Sequence, residues 1–353
     1  MRRALLLAAA LLLLAPVASA RTITVAVSGD LLIHEPLWQQ ARTASGYDFR
    51  PMLRRVRPLL HEADLAICHV ETPLTARAPS SFPVFSTPVQ LAVAIRRAGF
   101  DACTTASNHT LDQGPDGVRQ TLRALDREGV AHTGSALARR GPLLLDVDGI
   151  PVALLAYTQV HYEDVAGAPW LVNAVDTDAR PILAEARRAR ALGARIVIVN
   201  VHWGEELRAE PTADQLALAG QLARSPLITA VVGQHAHVVQ PIRMIAGLPV
   251  LFGEGNLLSA QAKDDSPKLP AESQDGLIGL LRIRVPDEGR PVLRRIDYVP
   301  TYVDHDGFVV TPVGANRSKP EYAASWDRTV GTIGRGPHYR PLIHQRGLAP
   351  LVD

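Results

Sequence analysis

The sequence has little cysteine, little net charge and no long apolar run after its N-terminus, and each shortage excludes a class of protein. Two cysteines among 353 residues cannot build a structural zinc site from thiolates. Of the 37 basic residues, Arg2 and Arg3 lie at the N-terminus, and the remaining 35 equal the 35 acidic residues in number. This balance offers no electrostatic footprint for nucleic acid. After the N-terminal segment, no apolar stretch approaches the roughly 20 residues that span a bilayer.

The N-terminus has the pattern of a secretion signal. Two arginines precede an apolar core over residues 4–17, and residues 18–20 form an A-x-A cleavage site. We therefore predict that residues 1–20 are a cleaved signal peptide and that the mature protein is periplasmic or extracellular. The alternative is an uncleaved segment that anchors the protein to the membrane.

The two cysteines, Cys68 and Cys103, each lie in an apolar, strand-like run. An exported protein could join them in a disulfide. We nevertheless expect two buried thiols, because a bridge between neighbouring strands strains the disulfide geometry. Neither cysteine has the surroundings of a nucleophile.

Apolar runs alternate with helical patterns in the first half of the chain, which predicts a parallel sheet with helices packed on it. Later apolar runs form hairpins, the first around Asp148-Gly149. We predict an α/β fold of two packed mixed sheets flanked by helices, in one domain over residues 21–310, with 311–353 as a C-terminal extension wrapping it. The predicted helices are 48–61, 88–98, 115–128, 178–192 and 211–224. The predicted strands are 23–28, 65–70, 101–106, 143–147, 150–157, 195–201, 227–232, 239–245, 249–252, 277–285 and 291–302.

Polar residues with metal-ligand side chains follow several of these apolar runs. The carboxyl ends of strands in such folds meet at one edge, where ligands bind. Oxygen and nitrogen donors without thiolate point to Mn²⁺, Fe or Zn²⁺. Six donors exceed what one catalytic ion needs, so two divalent ions sharing a carboxylate fit better. The predicted ligands are Asp30, Glu71, Asn108, His202, His235 and His237.

His109 directly follows the predicted ligand Asn108. We predict that it acts as a general acid that protonates a leaving-group oxygen, a role that contributes typically ~10²–10⁴-fold. Asp112, three residues further on, would hold the imidazole ring in place.

The motifs around these residues occur in an order that resembles the CapA-type poly-γ-glutamate capsule biosynthesis proteins, a branch of the calcineurin-like metallophosphoesterases. The resemblance covers about residues 25–303. It implies a four-layer αββα sandwich, with the six donors above as metal ligands and His109 as the acid. The motifs are Ser28-Gly29-Asp30, Val70-Glu71-Thr72-Pro73-Leu74, Ser107-Asn108-His109-Thr110-Leu111-Asp112-Gln113-Gly114, His202-Trp203-Gly204-Glu205-Glu206, Gly233-Gln234-His235-Ala236-His237 and Gly255-Asn256-Leu257.

The chain departs from that pattern in its first two motifs. The superfamily usually has Asp-x-His where this chain has Asp30-Leu31-Leu32, and Asp where it has Glu71. His69 stands where the CapA-type pattern usually has Asn, and its side chain should point the same way as that of Glu71. Either His69 replaces the missing ligand, or it is a neighbouring or substrate-contacting histidine. His34, on the loop after Asp30, is a second candidate.

These residues and the resemblance predict a metal-dependent phosphoesterase-like hydrolase of capsule or poly-γ-glutamate biosynthesis, acting outside the cytoplasmic membrane. Its expected partners are a phosphoester or anionic polymer substrate and a capsule-synthesis membrane complex. A non-catalytic metal-binding accessory protein of cell-surface polymer synthesis or export is the alternative.

Overall fold

The structure is a computed structural model that describes residues 21–161, 168–262, 268–314 and 318–342. The predicted signal peptide and the end of the predicted C-terminal extension lie outside these ranges.

Helices of very different length connect and cover the strands. In the described ranges the α-helices are α1 (Glu35–Gln40), α2 (Arg50–Leu53), α3 (Arg57–His61), α4 (Leu91–Ala98), α5 (Gly114–Arg127), α6 (Arg180–Ala191), α7 (Ala213–Ala223) and α8 (Pro320–Ile333). A 3₁₀-helix covers Ala271–Gln274.

The strands follow the apolar runs of the sequence. They are β1 (Arg21–Leu31), β2 (Arg42–Thr43), β3 (Gly46–Tyr47), β4 (Leu65–Val70), β5 (Leu74–Thr75), β6 (Thr87–Pro88), β7 (Ala102–Thr104), β8 (Ala131–Thr133), β9 (Leu143–Val147), β10 (Ile150–Thr158), β11 (Ile196–His202), β12 (Ala230–Gln234), β13 (Ile242–Ile245), β14 (Leu248–Leu251), β15 (Asn256–Leu258), β16 (Asp275–Val285), β17 (Val292–Asp304), β18 (Val309–Pro312) and β19 (Tyr339–Pro341).

Most strands join one of two mixed sheets. The first has the order β18-β17-β16-β1-β4-β7-β8, with β15 paired to β1 and β19 paired to β17. The second has the order β13-β14-β12-β11-β10-β9. Strands β1, β4, β7 and β8 run parallel in the first sheet, as do β10, β11, β12 and β14 in the second.

Most of the core among the described residues lies in three apolar layers, and they confirm the predicted αββα sandwich. The inner layer joins the two sheets, with Val25 and Ile67 from one and Val152 and Ile198 from the other. An outer layer packs the first sheet against α2, α3, α4 and α5. The other outer layer packs the second sheet against α6 and α7. Because side chains alternate across a strand, each central strand contributes to two layers.

The local predictions are confirmed in part. The strand predicted at 65–70 is found at Leu65–Val70. The single helix predicted over 48–61 is wrong, because the segment forms α2 and α3 instead. Pro58 lies in the first turn of α3, and proline has no N–H to continue the hydrogen bonds of a preceding helix. The strand predicted over 227–232 is found at Ala230–Gln234, so it continues past residue 232 through Gly233.

The prediction of two free thiols is wrong, because Cys68 and Cys103 form a disulfide. The parallel register of β4 and β7 places the two cysteines directly opposite each other. Their Cα atoms lie 4.5 Å apart, within the range that a disulfide bridges. Register between strands far apart in sequence, which the sequence pattern does not reveal, therefore decides the pairing.

The described segments after residue 304 remain attached to the first sheet. Strand β18 covers Val309–Pro312 and so crosses the predicted domain boundary at residue 310. Helix α8 is held to the sheet by Arg328, whose guanidinium donates to both carboxylate oxygens of Asp275 at 2.7 and 2.8 Å. No helix within the described ranges is long and apolar enough to cross a membrane.

Candidate metal centre

The carboxyl ends of parallel strands from both sheets meet at one edge of the sandwich. Asp30 lies near the end of β1, and Glu71 directly follows β4. His202 is the last residue of β11, and the turn after β12 carries His235 and His237. Residues more than 200 positions apart therefore lie side by side, as shown by the backbone N–H of His235, which donates to Asp30 Oδ2 at 3.2 Å.

Two glycines permit this close approach of backbones. A Cβ on Gly29 would lie 2.1 Å from the carbonyl oxygen of Gly255, and one on Gly233 would lie 2.0 Å from that of Phe252. The backbone N–H of Asp30 in turn donates to the Gly255 carbonyl at 3.0 Å. Any larger side chain at positions 29 or 233 would push these strands apart.

Asp30, Glu71 and His237 form one group of potential metal ligands, with one donor atom from each within 4.8 Å of the others. His237 Nδ1 lies 3.3 Å from Asp30 Oδ2, and His237 Nε2 lies 3.5 Å from Glu71 Oε1.

Glu71, His202 and His235 form a second such group. His202 Nε2 lies 3.9 Å from Glu71 Oε1 and 2.8 Å from Asn108 Oδ1. Asn108 thus adds an amide oxygen to this group. Glu71 belongs to both groups, so the six predicted ligands form two overlapping sets that share one carboxylate.

The two additional histidines differ in position. His69 forms a third group with Asp30 and His202, and its Nε2 lies 3.8 Å from Asp30 Oδ1. The other ring nitrogen, Nδ1, lies 2.8 Å from Thr104 Oγ1, which fixes the ring. His34 belongs to no such group among the described residues, and its ring packs edge-on against Phe85.

Several potential metal-ligand atoms of this cluster are buried without a hydrogen-bond partner. The side chains concerned are almost entirely shielded from solvent. An unsatisfied buried polar group typically costs ~1–3 kcal/mol and calls for an explanation such as an ion. A divalent cation would supply the missing partner, and the donor set suits one. The unpartnered atoms are Asp30 Oδ1, His69 Nε2, both carboxylate oxygens of Glu71, His202 Nδ1 and His235 Nδ1.

Burial also controls protonation in the cluster. It lowers the pKa of His69 to about 4 and that of His235 to about 3, and lowers the pKa of His202 well below its usual value. Burial lowers the pKa of His237 too, but the carboxylates of Glu71 and Asp30 outweigh it and raise that pKa to about 10. At least three imidazoles are therefore neutral at pH 7, the form that coordinates metals.

His109 and Asp112 form a pair at the rim of the cluster. His109 Nδ1 lies 2.9 Å from Asp112 Oδ2, and that same oxygen accepts a 2.6 Å hydrogen bond from the backbone N–H of Phe85. The Phe85 ring packs edge-on against the imidazole, with ring centroids 4.7 Å apart. The carboxylate and the phenyl ring together fix the orientation of His109 and leave its Nε2 as the nitrogen available to a substrate.

Sequence reasoning missed two contributors to the cluster. Glu206 forms a group of potential ligands with His235 and His237 and is solvent-exposed. Asn256 Oδ1 lies 3.1 Å from His237 Nδ1, and its amide nitrogen donates to the carbonyl of Ser273 at 2.9 Å. The Gly255-Asn256 motif was the available signal for Asn256, whereas nothing in the sequence distinguished Glu206 from its neighbour Glu205.

Known proteins share this sequence pattern. The family model described as "Bacterial capsule synthesis protein PGA_cap" matches residues 24–261. The capsule biosynthesis protein CapA of Bacillus anthracis is 24% identical over 254 residues, 68% of this chain and 60% of that protein. The PGA biosynthesis protein CapA of Bacillus subtilis is 24% identical over 218 residues, 58% of this chain and 56% of that protein. The chain thus spans only 56–60% of the length of these relatives.

Two further similarities agree with this match. A probable polyglutamine synthesis accessory protein of Mycobacterium tuberculosis is 26% identical over 225 residues, 55% of each chain. The crystal structure of the calcineurin-like phosphoesterase YfkN from Bacillus subtilis superposes with a TM-score of 0.51 and 13% identity, covering 89% of this chain and 98% of that one. That superposition supports the fold alone. Since the family model covers well over half of the sequence, the chain belongs to the bacterial capsule synthesis protein family PGA_cap, and its fold is that of the calcineurin-like phosphoesterases.

Proposed function

We propose that the protein is a metal-dependent hydrolase of phosphoesters. The observation that carries this proposal is the pair of buried donor groups that share Glu71. Two cations that share a carboxylate are the arrangement used to displace a leaving group from phosphorus. The chain covers only part of its relatives, so the activity is inferred from the site and not from their names.

The donor groups suggest how the ligands divide. Asp30, Glu71 and His237 would hold one cation, and Glu71, Asn108, His202 and His235 would hold the other. Nitrogen and oxygen donors without thiolate favour Mn²⁺, Fe or Zn²⁺.

His69 fits the ligand role better than the role of a supporting histidine. Its unpartnered Nε2 faces Asp30, while Thr104 occupies its Nδ1. A hydrogen bond from the second ring nitrogen is typical of metal-bound histidines. His69 would then replace the histidine that the first motif lacks. A metal titration of His69→Ala tests this, because unchanged stoichiometry and affinity would exclude it as a ligand.

The chain's own residues complete the chemistry. When bound, such cations lower the pKa of a coordinated water towards about 7 and polarise phosphoryl oxygens. His109 would donate the proton on Nε2 to the leaving-group oxygen. Asp112 would hold the imidazole in the tautomer that keeps Nδ1–H on the carboxylate and would stabilise its charged form. Phe85 would limit ring rotation and shield the pair from water.

We further propose that the protein acts outside the cytoplasmic membrane after cleavage of residues 1–20, with residues 311–353 as an extension of a domain over 21–310. The disulfide between Cys68 and Cys103 supports this location, because disulfides persist mainly in oxidising compartments. The mass of the exported protein tests it, since cleavage after Ala20 would leave Arg21 as the first residue.

The relatives suggest the biological setting. They are named for capsule biosynthesis and for PGA or polyglutamine synthesis. We propose that this chain likewise serves cell-surface polymer synthesis, with a phosphoester or an anionic polymer as substrate and a membrane complex as partner.

A non-catalytic metal-binding role is the second candidate. Leu32 occupies the position of the usual first-motif histidine and is buried. One relative is itself named as an accessory protein. Metal binding without turnover would support this role.

One experiment separates the two functions. Purified protein is supplied with Mn²⁺ and a panel of chromogenic phosphoesters. Turnover should vanish with EDTA and fall by roughly 10²–10⁴-fold in His109→Ala. His61→Ala is the matched control, because His61 lies at the end of α3, and its ring accepts a hydrogen bond from Arg57 on the same helix. Absence of turnover by the metal-loaded wild type across the panel would refute the hydrolase.

A further inference from the structure

A second concave site lies next to β10 of the second sheet, and its lining contains none of the predicted metal ligands. It is a cavity of about 380 Å³ between the turn after β8, the segment before β9, residues 169–173 and helix α6. Tyr157 of β10 forms part of its wall. Nothing in the proposed chemistry uses this cavity.

The charge of the cavity is one-sided. Arg139, Arg140 and Arg188 line it, and none of them forms a hydrogen bond or ion pair with another described residue. Among the described residues of the lining, Glu185 supplies the one carboxylate, and it accepts a hydrogen bond from the Tyr157 hydroxyl. Three guanidinium groups against one carboxylate give the lining a formal charge of +2. Unpaired arginines gathered around a concavity are an arrangement that attracts anions.

The remaining wall indicates the shape of a ligand. Trp170, Pro142 and Pro169 supply apolar surface to the same lining. Each guanidinium can bind a carboxylate or a phosphate through two parallel hydrogen bonds. A molecule with several acidic groups joined by short aliphatic spacers would match both the arginines and the apolar side chains of the lining.

The cavity is connected to the candidate metal centre through neighbouring residues. Thr158 of β10 pairs in register with the predicted ligand His202. Tyr157 directly precedes Thr158, so the Tyr157 side chain points to the opposite face of the sheet. On the other side, Ser135 lines the cavity, and its Oγ lies 2.7 Å from Thr105 Oγ1. Ser135 and Thr105 also border a small cavity next to Glu71. The residues that border the cavity and those that lie next to Glu71 are therefore direct neighbours.

We propose that the cavity binds a small polyanion bearing two or more carboxylate or phosphate groups, and that it holds part of an anionic substrate beside the metal centre. Binding of a polyanion is inferred from the cavity alone, whereas its role in holding the substrate rests on the proposed function.

Trp170 supplies the signal for a direct test. Protein treated with EDTA is titrated with tricarballylate, which carries three carboxylates, and separately with inorganic triphosphate, while tryptophan fluorescence is recorded. We expect saturable binding of at least one probe that weakens with added salt. Arg188→Ala, and the double variant Arg139→Ala with Arg140→Ala, should each lose at least about tenfold in affinity. Circular dichroism checks that the variants fold.

Arg187→Ala is the matched control, because Arg187 is an exposed neighbour on α6 outside the cavity lining. It should bind like the wild type, and Trp170→Phe should lose the signal. No binding by the wild type at about 10 mM probe, an equal loss in Arg187→Ala, or a signal that persists in Trp170→Phe would overturn the proposal. Preference for one probe identifies the acidic group.

The two proposals fail in different ways. Binding of a probe in EDTA without any phosphoester turnover would support the anion-binding cavity and exclude the hydrolase activity. Metal-dependent turnover without binding of either probe would support the hydrolase activity and exclude the anion-binding cavity.

Discussion

Replacing Gly233 with alanine should destabilise the protein far more than its size suggests. Gly233 lies in β12, two residues before His235, and a Cβ there would meet the Phe252 carbonyl oxygen at 2.0 Å and Trp203 Nε1 at 2.4 Å. These two atoms are themselves joined, because Trp203 Nε1 donates to the Phe252 carbonyl at 2.8 Å. The added methyl group would therefore separate a buried donor from its acceptor.

The magnitude follows from two costs. Overpacking a filled interior typically costs ~1–3 kcal/mol, and leaving a buried hydrogen-bonding group unsatisfied costs a further ~1–3 kcal/mol. We expect Gly233→Ala to lower the free energy of unfolding by roughly 2–6 kcal/mol. Because β12 positions His235, metal affinity should fall as well.

Gly220→Ala provides the control with the same chemical change. Gly220 lies inside α7, and a Cβ there would meet nothing within 4 Å. Alanine in a helix interior is favoured over glycine by ~0.5–1 kcal/mol, so this variant should be slightly more stable than the wild type.

Urea denaturation of both variants and the wild type, followed by circular dichroism, measures these differences. A Gly233→Ala protein as stable as the wild type would refute the close approach of β12 to Phe252. A similar loss in Gly220→Ala would show that the effect is not specific to position 233.

Three further outcomes are expected. Cys68 and Cys103 are 35 residues apart, and the loop-entropy estimate for such a bridge is about 4 kcal/mol. Replacing both with serine should lower the free energy of unfolding by that amount, measured by urea denaturation. An unchanged free energy of unfolding would mean that the disulfide does not stabilise the fold. Asp112→Asn should lower the turnover number, but by less than His109→Ala, and should shift the pH–rate profile because the orienting charge is lost. Burial raises the pKa of Asp297, but hydrogen bonds from three arginines outweigh it and hold that pKa below its usual value. The ionised carboxylate therefore stabilises the fold above the unfolded pKa of about 3.9, and this contribution is lost as the pH falls through the lower folded pKa. The difference in free energy of unfolding between the wild type and Asp297→Asn should disappear in acid. A difference that stays constant down to about pH 2 would contradict this.

Part of the fold was predictable because it depends on local patterns. The apolar run at Leu65–Val70 is a strand as expected, and the Asp148-Gly149 turn joins an antiparallel pair. The segment that forms α2 and α3 shows the limit of such reasoning. The sequence predicts one helix there, yet Pro58, which has no N–H, lies in the first turn of a separate second helix.

The candidate site divides in the same way. The sequence by itself determined which donors lie at strand ends, and strands that run parallel bring such ends to one edge. Only the tertiary structure decided that Glu71 belongs to two donor groups, that His69 faces Asp30 and that Glu206 lies near His237. It also decided the pairing of Cys68 with Cys103. The physical reason is that a strand's side-chain alternation is set by its own residues, whereas register and the distance between strands are set by packing among segments remote in the chain.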